Sequence, residues 1–290
     1  MPTLESKAME EIIIYEPDSR KKVGFFETWT IFFRNSFRFR ELILEVFKRD
    51  FVAVYKKSLF GVGWIILSPL IGVVSWVFMN ATGILSPGDV GIPYPAYVLL
   101  GTSIWGLFMG FYSSAAETLA AGGGFILQVK YPHEVLLMKQ TAQHLANFLL
   151  SFLLSVAVLL LFGVVPSWKL LFFPVLILPL FFLGAGIGLI ISVIKVVALD
   201  FQKGFDLFLG LVIFITPIIY SQDVNNELLR SIVRWNPLTY LIGGTRDLII
   251  YGRMDHWPGF IFSTALSLAV FIFAGHFFFI SEQKVVERMI

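Results

Sequence analysis

Few residues in this sequence are placed to do chemistry. Four histidines, His133, His144, His256 and His276, share no spacing that would gather a metal, and no HExxH occurs. The run Gly122-Gly123-Gly124 suggests a phosphate cradle, but GxxxxGK[ST] is absent from the chain. The chain has no cysteine, which removes thiolate ligands, disulfides and thiol nucleophiles without naming a compartment. No carboxylate pair falls inside an apolar run, where ion-driven transporters usually keep an ionisable group. These observations point away from catalysis, nucleotide binding and ion coupling, so no metal or cofactor is expected on this chain. Aromatic residues are abundant, at 16% with 31 Phe. Tyr94, Tyr97, Trp105, Phe108, Phe111 and Tyr112 recur along one segment. They read either as interface anchors and core, or as a conduit wall whose rings stack on the apolar faces of sugars, as aromatic platforms do with bases. Arg34, Arg38 and Arg40 offer guanidinium forks suited to phosphate oxygens.

The elements that position these residues follow from composition. Of 290 residues, 57% are hydrophobic and 14% charged, against about 45–50% and about 25% in ordinary soluble domains. Mean hydropathy is +0.80. A soluble domain of that balance would expose large apolar patches, and a disordered chain needs the opposite balance. The net charge of +2 is too small to imply nucleic-acid binding. The expected fold is an all-α polytopic membrane protein. A span needs about 20 mostly apolar residues. Runs without Asp, Glu, Lys or Arg place six, at about 62–86, 96–120, 134–164, 170–196, 201–222 and 257–281. The fifth reaches full length only by burying or snorkelling Lys203 and Asp206. Residues 1–24 form an N-terminal extension, 25–57 an interface helix and connector, and 58–290 the six-helix transmembrane domain. The first thirty residues carry six carboxylates and no apolar h-region, so no cleavable signal is expected. Seventeen of the 22 Lys/Arg fall on the N-terminal side of these spans. Both termini are therefore expected in the cytoplasm.

Three segments outside the spans carry more information. At about 100° per residue, Phe25, Phe26, Trp29, Phe32, Phe33, Phe37 and Phe39 share one arc of a helix, and Glu27, Thr28, Thr30, Arg34, Asn35 and Arg38 share the other. Such a helix lies in the headgroup plane, as a simple anchor or as a surface that receives a cytoplasmic partner. Between spans two and three, Gly122-Gly123-Gly124 breaks the helix and Lys130-Tyr131-Pro132-His133-Glu134 restarts it, Pro132 suiting a first turn. That stretch is either a plain connection or a short helix that seats in a partner's groove, as is 198–206 with Asp200, Lys203 and Asp206. Before the last span, 226–235 and 239–251 form two short amphipathic pieces around Asn236-Pro237. They read as a re-entrant hairpin serving as an exit gate, or as interfacial helices capping the bundle. Gly106-xxx-Gly110 and Gly184-xxx-Gly188 permit close helix approach and weakly suggest self-association.

The run Arg49-Asp50, then Tyr55-Lys56-Lys57-Ser58-Leu59-Phe60-Gly61-Val62-Gly63-Trp64 and Ser68-Pro69-Leu70, resembles the entry to the first span in membrane subunits of polysaccharide-exporting type-2 ABC transporters, which export O-antigens, capsules and teichoic acids. Val129-Lys130-Tyr131-Pro132-His133-Glu134-Val135 resembles that family's coupling segment, and Trp235-Asn236-Pro237-Leu238 with Arg246 its external segment. Leu199-Asp200 stands where the family often has arginine-aspartate. The resemblance covers about residues 25–290. It implies a homodimer in the inner membrane joined to two copies of a separate ATPase that holds the ATP and Mg, passing a lipid-linked glycan outward. By the same resemblance, Phe25, Trp29, Arg34, Arg38, Lys130, Tyr131, Pro132, His133, Glu134 and Asp200 form the ATPase-coupling surface. The aromatic set from Tyr94 to Tyr112 lines the channel, and Trp235, Asn236 and Arg246 form the external gate. A drug- or lipid-transporting type-2 permease and a non-ABC channel or scaffold are the alternative readings.

Overall fold

A computed structural model of the chain describes residues 20, 23–56, 60–61, 63–120, 133–223 and 226–287. Among these residues there is no strand. In chain order the helices are α1 (Phe25–Arg38), α2 (Arg40–Lys56), α3 (Gly63–Ala81), α4 (Tyr94–Ala116), α5 (His133–Leu161), a 3₁₀ turn (Trp168–Phe172), α6 (Phe173–Leu176), α7 (Leu178–Val197), α8 (Leu199–Ile215), α9 (Glu227–Trp235), α10 (Pro237–Tyr251) and α11 (Trp257–Glu287). Four stretches are long and apolar enough to cross a membrane: Tyr94–Ala116, Glu134–Leu161, Trp168–Val197 and Trp257–Glu282. Ile66–Ala81 is apolar but shorter. Large apolar side chains stand exposed along the outside of α3, α5, α8 and α11. In a membrane they meet lipid rather than water.

The fifth expected span is shorter than its charge-free run suggests. α8 stops at Ile215, because Thr216 turns extended (φ −107°, ψ 130°) ahead of Pro217, whose ring disfavours helix in the residue before it. Residues 216–222 then fold back over the bundle instead of completing a span to 222.

α4 is the buried centre. Its residues from Ala96 to Ala116 are almost all enclosed, with α5, α7 and α3 around it. α7 lies against α4 at backbone distance because glycine leaves it room. A Cβ added at Gly184 would stand 2.9 Å from the Phe108 carbonyl oxygen, and one at Gly188 would stand 2.3 Å from that of Tyr112. The pair expected to mark self-association is thus consumed within the chain. Gly110 likewise makes room for the His144 ring of α5. On the other side of α7, Gly186 admits the backbone of α11 at Phe271. Small residues drive such packing in lipid, where burial of apolar surface between helices gains little.

Replacing Gly188 with valine forces side-chain atoms into the Tyr112 carbonyl. The expected cost is about 3 kcal/mol, the upper end for overpacking. The check is thermal unfolding in detergent, with Gly204→Val as the control, since a Cβ at Gly204 meets nothing within 4 Å.

Candidate functional site

At one end of the bundle α1 is seated on α11. The seat is aromatic: Trp29 stacks obliquely on Phe271 at 5.2 Å, and Phe25 meets Phe273 at 5.9 Å and the His276 ring at 5.0 Å. Gly275 makes it possible, since a Cβ there would stand 2.5 Å from the Trp29 ring. Phe32 goes deeper, joining Leu119, Leu137, Leu189 and Phe278 in a core shared by α4, α5, α7 and α11. The expected two-sided pattern is corrected in one respect. Thr28, read as polar face, is buried, its Oγ1 lying 3.1 Å from His276 Nδ1 and donating to the Gly24 carbonyl. The aromatic arc is therefore divided, with Phe25, Trp29 and Phe32 turned toward α11 and Phe26, Phe33 and Phe37 left exposed. Arg34 and Arg38 are exposed as well.

Glu134 does not face outward as a coupling residue would. It is fully buried, 3.7 Å from the Arg20 guanidinium, which also pairs with Glu282 and lies 4.5 Å over the Phe279 ring. A carboxylate taken out of water needs such partners, so Glu134 ties the start of α5 to the N-terminal segment and the end of α11. Lys130, Tyr131 and Pro132 lie outside the described residues, and so does the His133 side chain. Asp200 is solvent-facing at the start of α8, 3.4 Å from Lys203. Lys195 and Gln202 both donate to Glu117 at this end, at 2.5 and 3.1 Å, and the Tyr112 hydroxyl donates to Asp206 at 2.6 Å.

α2 is tied to α5 by Lys139 and Asp50 at 2.9 Å, with Arg49 also on Asp50. Partial burial pushes the Asp50 carboxyl up, but the hydrogen bonds and charges of Lys139 and Arg49 outweigh it and hold it below the usual carboxylate value.

At the opposite end, four side chains converge on the fold-back after α8. Tyr94 donates to the Ile219 carbonyl at 3.0 Å and Tyr97 to that of Tyr220 at 2.8 Å. Arg246, buried on α10, donates to the Pro217 carbonyl at 3.1 Å and covers the Tyr97 ring at 4.0 Å. Asn236 joins both roles. Its Oδ1 caps α10 by accepting from Leu238 N at 3.0 Å, while its Nδ2 donates to Thr216 Oγ1 at 2.8 Å. Pro237 opens α10 where a missing N–H costs nothing, and Gly252 closes it in the left-handed region (φ 67°). Asn236 and Arg246 thus act on the same loop, while Trp235 is 82% exposed and takes no part. The sequence reading missed Tyr94 and Tyr97 as members of this latch. Their positions at the mouth of a helix were the available signal, and what they grip lies more than 120 residues away.

The expected channel lining needs correction. Tyr97, Trp105, Phe108, Phe111 and Tyr112 are all buried in the core of the single chain, Phe111 edge-on to Phe181 at 5.2 Å and Trp105 on Phe108 at 5.4 Å. Their faces are covered by neighbouring helices, so they present no free ring to a passing sugar.

The described residues hold helices and no strand, and four of the helices are long and apolar enough to cross a membrane. The chain belongs to the ABC-2 type transporter family, whose profile matches residues 41–250. Its relatives include two proteins of Klebsiella pneumoniae named O-antigen export system permease protein RfbA. One is 25% identical over 240 residues, covering 80% of this chain and 91% of the relative. The other is 23% identical over 233 residues, covering 79% and 88%. A protein of the same name from Myxococcus xanthus is 23% identical over 259 residues, covering 88% of this chain and 98% of the relative.

Two outcomes follow from these geometries. Arg246→Met leaves the Pro217 carbonyl and the Tyr97 face without their cation. A hydrogen bond to a charged group contributes about 2 kcal/mol, so amide exchange at 218–222 is expected to accelerate about thirtyfold, and Arg246→Lys, which lacks the planar fork, to rescue only part. The Asp50–Lys139 tie depends on pH in one direction. The folded carboxyl titrates below its unfolded value of about 3.9, so the tie contributes fully above that value and is lost as pH falls through the lowered one. Exchange protection of α2 is expected to be unchanged from pH 7 to 5, to drop only below the unfolded value of about 3.9, and in Asp50→Asn to show no such step.

Proposed function

We propose that this chain is the channel-forming membrane subunit of an ATP-driven exporter that carries a lipid-linked polysaccharide, O-antigen first among the candidates, from the cytoplasmic side outward. The observation that carries this reading is similarity to O-antigen export permeases over about four-fifths or more of the chain and nearly the full length of those relatives. The absence of a Walker A motif fits hydrolysis of ATP, with Mg, on a separate partner present in two copies, and a homodimer of this chain would enclose the path. The charge distribution supports cytoplasmic termini, which puts α1 on the ATPase side and the α9–α10 pair outside.

In this arrangement α1 takes a push from the ATPase and passes it to α11 through the Trp29–Gly275 seat, while Asp200 and the segment before α5 provide further contact. Arg34 and Arg38, exposed beside Phe26, Phe33 and Phe37, meet acidic lipid or the diphosphate of the substrate. At the far end, the loop held by Tyr94, Tyr97, Asn236 and Arg246 is the gate that must give way for the glycan to leave.

The test is co-expression with the candidate ABC ATPase in a strain lacking its own O-antigen exporter. Co-purification of the ATPase and ATP-dependent appearance of glycan at the cell surface are expected. Recovery of drug resistance or lipid transport without glycan export would replace this reading with the drug or lipid alternative. Gly275→Val, which unseats α1, is expected to leave the ATPase bound while export falls roughly tenfold or more.

A further inference from the structure

A cavity with six polar side chains in a mainly apolar lining lies among α3, α4 and α5, reaching from Trp64 at the start of α3 to the middle of α4 and α5. It measures about 490 Å³, within the range of small-molecule sites. Ser68 of α3, Thr102 and Ser103 of α4, and His144, Asn147 and Ser151 of α5 line it. The α4 and α5 residues lie near the middle of their helices, at the depth of hydrocarbon in a membrane. Thr102 satisfies its hydroxyl on the Val98 carbonyl, and Ser103 bonds Ser155. The Ser68 and Ser151 hydroxyls and the His144 ring make no hydrogen bond among the described residues. Lipid tails there would leave these groups unpaired, whereas water or a polar ligand satisfies them.

The chemistry of the lining selects the ligand. No Asp, Glu, Lys or Arg lines the cavity among the described residues, so nothing in it complements a phosphate or a carboxylate. Hydroxyl, amide and imidazole groups both donate and accept, which matches the hydroxyls of a neutral sugar. Trp64 and Trp76 supply indole surface for the apolar C–H faces of separate sugar rings, and Trp64 is 43% exposed. These two residues are twelve apart on α3, roughly 18 Å along its axis, so the lining extends lengthwise through the bundle. Gly72 and Gly106 also line it, and a Cβ added at either meets no atom within 4 Å. They leave open space rather than allow helices to touch.

We propose that this cavity is a hydrated sugar-binding station for neutral, hydroxyl-rich units of the transported glycan. The proposal rests on the glycan-export reading above and adds a place where the glycan is held.

The chain's lack of cysteine makes the test direct. Gly72→Cys and Gly106→Cys are placed separately in the full complex in membranes, with Leu149→Cys, on the exposed apolar side of α5, as the lipid-facing control. The probe is a small, positively charged, water-soluble methanethiosulfonate. Because the thiolate is the reacting species and needs water, both cavity positions are expected to label about tenfold faster than position 149. Loading the complex with lipid-linked neutral glycan without ATP is expected to slow that labelling several-fold. Gly106→Leu, whose Cβ meets nothing within 4 Å and whose side chain takes up cavity space, is expected to lower export about tenfold or more while the complex still assembles. Labelling as slow as at position 149 overturns the hydrated cavity. Fast labelling that glycan does not slow, or normal export by Gly106→Leu, overturns the sugar station. Failure of the wild-type complex to export any glycan is read before any variant and overturns the functional reading itself.

Discussion

The contact on which the rest depends is the backbone approach of α7 to α4. Gly184 and Gly188 let the two helices meet with carbonyls where side chains would otherwise stand. Inside a bilayer, hydrocarbon surrounds helices whether or not they pack, so association comes from close contact and dispersion rather than from release of water. α4 is thereby fixed at the centre, with its polar ends emerging at opposite faces. One end offers Tyr94 and Tyr97 to the loop after α8, and the other offers Tyr112 and Glu117 to α7 and α8.

Those two faces are built on different physics. The α1 face is held by aromatic packing into a glycine gap and by charge pairs, among them the enclosed Arg20, Glu134 and Glu282 cluster. The opposite face is held by side chains reaching backbone carbonyls, including a guanidinium that cannot lose its charge and is almost wholly enclosed. Opening it breaks several bonds together, so residues 216–220 are held to the bundle as one unit. α8 connects the two, beginning beside Lys195 and Glu117 and ending in the clamped loop.

The cavity between α3, α4 and α5 belongs to the same frame. It exists because α3 stands off from α4 near Gly72 and Gly106, whereas α5 closes on α4 at Gly110 and His144. One GxxxG pair on α4 therefore does two jobs, with Gly110 making contact and Gly106 keeping space. Spacing alone does not distinguish these, since both residues sit on the same face of one helix.

Composition and the placement of charges were enough to define an all-α membrane protein, the apolar runs, a helix beginning at Phe25 and the two short helices meeting at Asn236-Pro237. These properties are local or additive, set by hydrophobic period, capping and proline geometry. Three motifs in order carried the family, and Asn236 and Arg246, read together from the sequence, both bond the turn at Thr216-Pro217. The burial of Thr28 and Glu134, the pairing of Glu134 with Arg20 and Glu282, and the grip of Tyr94 and Tyr97 on a distant loop were not legible. Each depends on which face of a helix meets which neighbour, and in a membrane both lipid and protein accept an apolar or aromatic face. For the same reason the rings from Trp105 to Tyr112 read equally well as wall or core from their types. Only the tertiary packing, which covers them on every side, decided that they are core.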